Sequence, residues 1–341
     1  MVKEKLYGKT LNELIDVTKR IRLPGFAARQ IADWLYKKES NTIDEMTNLS
    51  KKTRELLSSD YEFGLSGPVS ESKSTDGTKK YLFGVLKDKF IETAFIPDEE
   101  RATICVSSQA GCKMGCIFCM TGKQGYQGNL SSNEILNQFR SLPEFNILTN
   151  IVYMGMGEPL DNIKEVLKSL EILTGEWGYG WSPTRITVST VGLIKGIKEY
   201  LELSRCHLAV SLHSPFDDER RKLMPVQRSN TIAEVLDVIR NTEINSQRRI
   251  SFEYILFKGI NDSPRHVKEL ARILNGIKCR INIIRFHEIP GTEFHSPDFE
   301  TTVKFKEALN AKGILTTIRA SRGEDIRAAC GLLSTLSQNK P

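Results

Sequence analysis

Three of the chain's seven cysteines, Cys112, Cys116 and Cys119, fall inside the eight residues CKMGCIFC. Thiolates this close together are soft ligands and select zinc or an iron–sulfur cluster. A structural zinc is normally closed by four ligands. The nearest fourth candidate is Cys105, inside an apolar strand-like run, and residues 120–130 contain no histidine. Three thiolates on a [4Fe–4S] cluster leave one iron open to a small molecule, which gives the missing ligand a chemical purpose. The positions between the ligands are poor in charge, and Phe118 suits shielding from water.

The elements that position this loop follow from periodicity. From residue 101 onward apolar strands alternate with amphipathic helices: ATICVSS, NIVYMG, RITVSTV, CHLAVSL, ISFEYILF, RINIIRF and ILTTIRA, with helices expected near 131–140, 162–173, 193–203, 231–242, 264–275, 300–312 and 324–334. Such alternation predicts an α/β fold with βαβ crossovers and a parallel sheet, either doubly wound or an open or closed barrel. In each case function gathers at the C-terminal ends of the strands. The segments there are chemically dense: SSQAGCKMGCIFCMTGKQG, GMGEPLD, STVG, SLHSPFDDERRKLMP, KGINDS and HEIPG.

Residues 1–62 read as a small helical domain in which Phe26, Ile31, Trp34 and Leu35 share an apolar side. Residues 1–60 hold twelve Lys and Arg against nine Asp and Glu, so the module is either an RNA clasp or a plain capping bundle. Residues 63–100 read as a connecting region built on a hairpin, KKYLFGVL against KFIETAFI around Lys87 and Asp88. Residues 101–335 form the repeated domain.

The 341 residues are 40% hydrophobic and 26% charged, enough to bury a substantial core and too apolar for disorder. A net charge of +6 permits attraction to a polyanion without establishing it. No stretch approaches the roughly 20 apolar residues of a membrane span, and the start MVKEKLYGKT has no hydrophobic core suited to secretion. We therefore expect a cytoplasmic protein, with reduced cysteines available for metal or chemistry and no disulfide framework.

With C-x3-C-x2-C directly after the first strand of the repeat, the sequence resembles the radical S-adenosylmethionine superfamily. That resemblance implies a partial (β/α) barrel holding a [4Fe–4S] cluster on Cys112, Cys116 and Cys119, with S-adenosylmethionine bound to the open iron. It also implies cofactor contacts from Gly157 and Glu158 of YMGMGEP, Ser189 of VSTVG, and Ser211, Leu212 and His213 of VSLH. The family pattern has Asn where this chain reads RFHEIPG; His287 takes that place and can donate a similar hydrogen bond.

Across nearly the whole chain, RATICVSSQAGCKMGCIFCMTGKQGYQGNL, YMGMGEPLDN, VSTVG, AVSLHSP, RRKLMPV and RASRGEDIRAACG resemble the dual-specificity methyltransferases acting on carbon 2 of adenosine in 23S ribosomal RNA and certain transfer RNAs. The related carbon-8 methyltransferases share much of this framework. Carbon 2 of adenine is no nucleophile, so polar methyl transfer has no route to it and radical addition does. The resemblance implies two molecules of S-adenosylmethionine per turnover. One methylates Cys330; the other, cleaved reductively at the cluster by an electron donor such as flavodoxin or ferredoxin, yields a 5′-deoxyadenosyl radical that removes hydrogen from the methylated cysteine. The methylene radical adds to carbon 2, Glu92 takes the proton, and Cys105 releases the product by forming a disulfide with Cys330. The enzyme is expected to be a monomer.

Read from the residues alone, each of these positions has a second meaning. Cys330 in RAACG and Cys105 in TICVSS could simply pack, Glu92 could be a solvated edge residue, Gly157 and Glu158 a tight turn, and Ser189, Ser211 and His213 local caps. Cys206 and Cys279 are expected only to pack. Arg220, Arg221, Lys222, Arg319, Arg322 and Arg327 are expected near the strand rims, where they could meet RNA phosphates. A zinc-containing RNA-binding protein, with the basic N-terminal module carrying the function, is the alternative of a different class.

Overall fold

The structure, a computed structural model, describes residues 3–38, 40–244 and 247–335. The chain opens with strand β1 (Glu4–Lys5) and helices α1 (Leu11–Arg20), α2 (Ala27–Tyr36) and α3 (Lys51–Asp60), then returns in β2 (Tyr61–Glu62) parallel to β1. A capping box at Thr10 and Glu13 starts α1. Ile31 and Leu35 are buried and Trp34 half-buried, but Phe26 is 65% exposed. The expected shared apolar side fails there because Phe26 is the N-cap of α2 and lies ahead of its buried face.

The expected hairpin forms from β4 (Lys79–Val85) and β5 (Lys89–Pro97), preceded by β3 (Ser70–Lys73), whose sequence SESK is exposed at every position and carries no alternation to announce it. The hairpin does more than connect. Its β5 pairs antiparallel with β6 (Ala102–Cys105), so β3, β4 and β5 extend the main sheet.

Beyond β6, the short β7 (Gln109–Ala110), α4 (Met120–Gln124) and β8 (Gly128–Asn129) frame the cysteine loop, and α5 (Ser132–Arg140) leads into β9 (Asn150–Tyr153). The repeat continues as α6 (Ile163–Thr174), β10 (Ile186–Thr190), α7 (Ile194–Leu203), β11 (His207–Ser211), α8 (Asp217–Leu223), α9 (Ile232–Asn241), β12 (Ile250–Leu256), α10 (Pro264–Ile273), β13 (Cys279–Arg285), α11 (Phe299–Ala311) and β14 (Leu315–Ile318). The ten-stranded order is β14-β13-β12-β11-β10-β9-β6-β5-β4-β3, parallel from β6 to β14. Among the described residues β14 and β3 are its open edges, which makes the barrel partial. Strand residues such as Ile151, Val188, Leu208, Phe252 and Ile281 are buried in one continuous core with helix residues such as Leu170 and Val235.

One expected helix is missing. Residues 324–334 run as successive turns, with Arg327 at φ 54° and Gly331 at φ 83°, left-handed conformations that stop a helix. The segment buries Ala328 and Ala329 instead of an amphipathic face. Cys206 is buried immediately before β11, whereas Cys279, the first residue of β13, is only half-buried. No helix among the described residues is long and apolar enough to cross a membrane.

Candidate active site

The loop after β6 carries Cys112, Cys116 and Cys119 into an apolar nest. Cys116 and Phe118 pack with Leu223, Met224, Phe257 and Ile289, and Cys119 rests against them. Burial, then the mutual repulsion of the three sulfurs and Glu158, pushes the Cys116 thiol well above its ordinary value. Burial likewise pushes Cys112 up to about 12. A buried thiolate of this kind needs a cation on sulfur to offset its desolvation, and the apolar, partly closed setting of the loop fits the iron–sulfur cluster expected from its spacing.

The next strand ends at a backbone turn too tight for side chains. Gly157 has φ 97°, and a Cβ there would sit 2.5 Å from Gln109 Cβ. Gln109 accepts from Glu158 N–H at 2.9 Å and donates to Asp161 at 2.7 Å, while Lys113 pairs with Asp161 at 2.8 Å. Glu158 is buried and accepts from the N–H groups of Leu160 (3.1 Å) and Val191 (2.8 Å). Burial raises its pKa to about 7 against the pull of Thr190 and those two amides.

His213 ends the β11 segment in a left-handed conformation, φ 54°, with its ring edge-on to Phe118 at 4.9 Å. Its Nδ1 accepts from Ile255 N–H at 3.0 Å, and burial lowers its pKa to about 3, so the ring is neutral with Nε2 carrying the proton. Leu212 is buried and Ser189 and Ser211 are half-buried at their strand ends.

Cys105 and Cys330 come together. A cavity of about 150 Å³ is lined by both, with Cys119, His287 and Arg319. Cys105 is buried against Ala94 and Ala328, two residues before the exposed Cys330. Burial pushes the Cys105 thiol up to about 12; a charge on Cys330 adds to this and Arg319 opposes it. His287 Nε2 lies 3.1 Å from the Ser321 hydroxyl, and its Nδ1 is 3.3 Å from Glu324 without hydrogen-bonding geometry. A neighbouring cleft of about 1480 Å³ shares His287, Arg319 and Ser321 with the first and adds Lys80 and Glu92. Glu92 is buried, 2.9 Å from Lys80 Nζ, and accepts from Ser334 N–H at 2.9 Å. Gly157, Glu158, Ser189, Ser211, Leu212 and His213 line neither cavity.

The expected phosphate contacts divide. Arg220 is fully buried and cannot reach RNA: it donates to the carbonyls of Leu212 (3.1 Å), Val191 (2.7 Å) and Ser211 (3.0 Å) and to Gln227. It ties together the ends of β10 and β11, where cofactor contacts were expected. Arg221, Lys222 and Arg327 are exposed. Arg319 points inward, 3.7 Å from Glu253 and 3.3 Å from Met154 Sδ. Burial works against its charge, and Cys330, Glu253 and Cys105 more than offset this, raising its pKa. Sequence reasoning missed Lys80, Gln109 and the inward role of Arg319; Asp161, visible in GEPLDN, was the one local signal.

A sequence model described as the Radical SAM superfamily matches residues 106–271, and one described as the ribosomal RNA large subunit methyltransferase N-terminal domain matches residues 5–62. The probable dual-specificity RNA methyltransferase RlmN of Bacteroides fragilis (strain YCH46) is 57% identical over 100% of this chain and 99% of its own. The chain belongs to this methyltransferase family. The dual-specificity RNA methyltransferase RlmN of Campylobacter lari is 42% identical over 95% of this chain and 97% of its own. The crystal structure of a radical SAM methyltransferase from Sphaerobacter thermophilus superimposes with a TM-score of 0.90 at 39% identity, covering 97% of this chain and 99% of that one. The fold is accordingly that of a radical S-adenosylmethionine enzyme, as the C-x3-C-x2-C loop led us to expect, and the family's chemistry is methyl transfer to RNA, as the resemblance along nearly the whole chain implied.

Proposed function

We propose that this enzyme methylates carbon 2 of adenosine in 23S ribosomal RNA and in transfer RNA, with Cys330 as methyl carrier and Cys105 as resolving thiol. The observation that carries the assignment is the single cavity lined by Cys105, Cys119 and Cys330, which brings the two thiols outside the loop next to one inside it. Cys112, Cys116 and Cys119 would hold a [4Fe–4S] cluster, with Gly157, Glu158, Ser189, Ser211, Leu212, His213 and His287 around S-adenosylmethionine. When bound, these groups supply a methyl group by substitution and, after one-electron reduction, a radical able to take a hydrogen atom; this accounts for two S-adenosylmethionine per turnover.

The protein's own steps follow from its side chains. Cys330 Sγ exchanges its proton for a methyl group and, once a hydrogen atom is removed, bonds through that carbon to carbon 2. The adduct gives up its carbon-2 proton to Glu92 and one electron, for which the oxidised [4Fe–4S] cluster or its electron carrier would be the acceptor. Cys105 thiolate attacks Cys330 Sγ; the sulfur–carbon pair passes to carbon, which is protonated to the product methyl, and a Cys105–Cys330 disulfide remains for a cellular reductant to open. Such chemistry needs a reducing compartment, so we place the enzyme in the cytoplasm as a monomer fed electrons by flavodoxin or ferredoxin. The target base must leave its stack to reach the cavity.

The test is nucleoside mass analysis of 23S and transfer RNA from cells lacking the protein. Loss of 2-methyladenosine from both fractions is expected. Loss of 8-methyladenosine, or no change in either nucleoside, would overturn the proposal.

A further inference from the structure

The segment that carries Cys330 begins at a turn tied to a distant part of the chain. Asp76, in the turn between β3 and β4, accepts hydrogen bonds from Gly323 N–H and Thr78 N–H, both at 2.9 Å. In the opposite direction, Asp325 accepts from the Ser74 hydroxyl at 2.6 Å and from Thr75 N–H at 3.2 Å. Each aspartate thus seats on the other's turn. Gly323 is closely fitted: at φ 63°, a Cβ would lie 2.8 Å from both Thr78 Cγ2 and Ala328 Cβ.

Past this crossing, Ala328 N–H returns to Gly323 O and its methyl packs against Cys105. Beyond Cys330 the chain is held again. Met120 N–H donates to Gly331 O at 2.8 Å, the Thr121 hydroxyl to Leu333 O at 2.7 Å, and Gln124 exchanges hydrogen bonds with Thr335 at 2.8 and 2.9 Å. The span between the two anchors includes Arg327 in the left-handed region, a conformation that is strained for a non-glycine residue and needs surrounding contacts to persist. Hydrogen bonds from Gly323 and Thr78 outweigh burial and hold the Asp76 carboxyl down at about 2.

We propose that Asp76 and Asp325 are positioning residues for Cys330: their crossed hydrogen bonds hold the base of its segment over Cys105 and set the effective concentration of the two thiols. This rests on the reading of Cys105 and Cys330 as an exchanging pair. Two groups on one chain react in proportion to how often the fold presents them to each other, and a displacement of about 1 Å can cost large factors in rate.

The experiment equilibrates the full, cluster-loaded chain anaerobically with reduced and oxidised glutathione. One oxidised glutathione is reduced to two thiols as Cys105 and Cys330 become a disulfide, and mass analysis after alkylation reads the equilibrium constant. Asp76→Ala and Asp325→Ala should each lower that constant, and kcat, by roughly tenfold, with KM for S-adenosylmethionine and iron content unchanged. Asp325→Asn should restore both, because its carboxamide oxygen can accept from Thr75 N–H while its NH2 donates to Ser74 Oγ. Parental constants in both alanine variants, or failure of the asparagine to rescue, would overturn the proposal. If either alanine variant does not fold, Ser74→Ala, which removes a single hydroxyl from the same crossing, must show the drop, and its absence would equally overturn it. A parent protein that forms no Cys105–Cys330 disulfide would instead overturn the reading beneath.

Discussion

Glu92 on the hairpin strand and Ser334, four residues beyond Cys330, share a 2.9 Å hydrogen bond from the Ser334 N–H to the Glu92 carboxylate. The other carboxylate oxygen faces Lys80 Nζ at 2.9 Å. The proposed base is therefore held by a cation on one side and by the thiol-bearing segment on the other. Its reach toward a base in the larger cleft depends on where that segment sits.

Replacing Glu92 by Gln keeps the shape and removes the proton acceptor. Turnover should fall by about 10²-fold or more, the usual range for loss of a general base. Formation of methylated Cys330 should be unaffected, because that step draws no proton from carbon 2. Peptide mass analysis of Cys330 beside a turnover assay separates the two; unmethylated Cys330 in folded, cluster-loaded protein would reassign Glu92 to cofactor or thiol chemistry.

Arg220 and its neighbours should behave oppositely. Arg220→Met strands three carbonyl acceptors and Gln227 in the interior, a loss of about 3 kcal/mol or more that thermal denaturation will register as a lowered Tm. Arg221→Ala and Lys222→Ala, both exposed, should leave Tm within the ordinary surface range of about 0.5 kcal/mol. If they contact phosphate, each should reduce the salt dependence of RNA affinity; an unchanged slope removes them from the interface.

The cysteine loop and the βαβ repeat were legible because spacing and Val/Ile-rich runs are local signals, and so was the hairpin. What escaped depends on contacts between distant positions. Strand β3 exists because β4 offers it an edge, not because SESK favours strands. Residues 324–334 carry a helix-like composition, but the Asp76–Gly323 bond and the packing of Ala328 on Cys105 prefer turns. Arg220 looks like a surface cation beside Arg221 and Lys222, and only the convergence of three carbonyls shows it to be interior.

His207 makes stability fall on acidification. Its Nδ1 accepts from Arg249 N–H at 3.0 Å, and burial, with the nearby Arg249, Arg280 and Arg248 charges, lowers its pKa to about 4. The unfolded chain takes up the proton near the ordinary value of about 6.5, and the folded chain does not until about 4. Its contribution is thus complete above about 6.5 and is lost as the pH falls toward 4, by at most about 1.4 kcal/mol per unit and less with solvent screening. Urea titrations between those limits should show a shallower pH slope in His207→Gln than in the parent. An identical slope would show that other groups carry it.

Changing Cys105 to Ala while leaving Cys330 intact distinguishes the meanings open to the buried thiol. If Cys105 resolves the adduct, carbon 2 still becomes bonded to the Cys330 carbon, but no sulfur attacks Cys330 Sγ, and RNA stays covalently attached to the enzyme. Cys105→Ala together with Cys330→Ala should abolish the adduct, because the carrier is gone. A metal-ligand role for Cys105 predicts lost iron and no adduct, and a packing role predicts nearly normal turnover. The cavity it shares with Cys330, and Arg319 opposing the burial that raises its pKa, favour the first. Denaturing electrophoresis of enzyme incubated with labelled RNA, S-adenosylmethionine and reductant reads the outcome directly. Folded, cluster-loaded Cys105→Ala protein that traps no RNA would sink the resolving-thiol assignment.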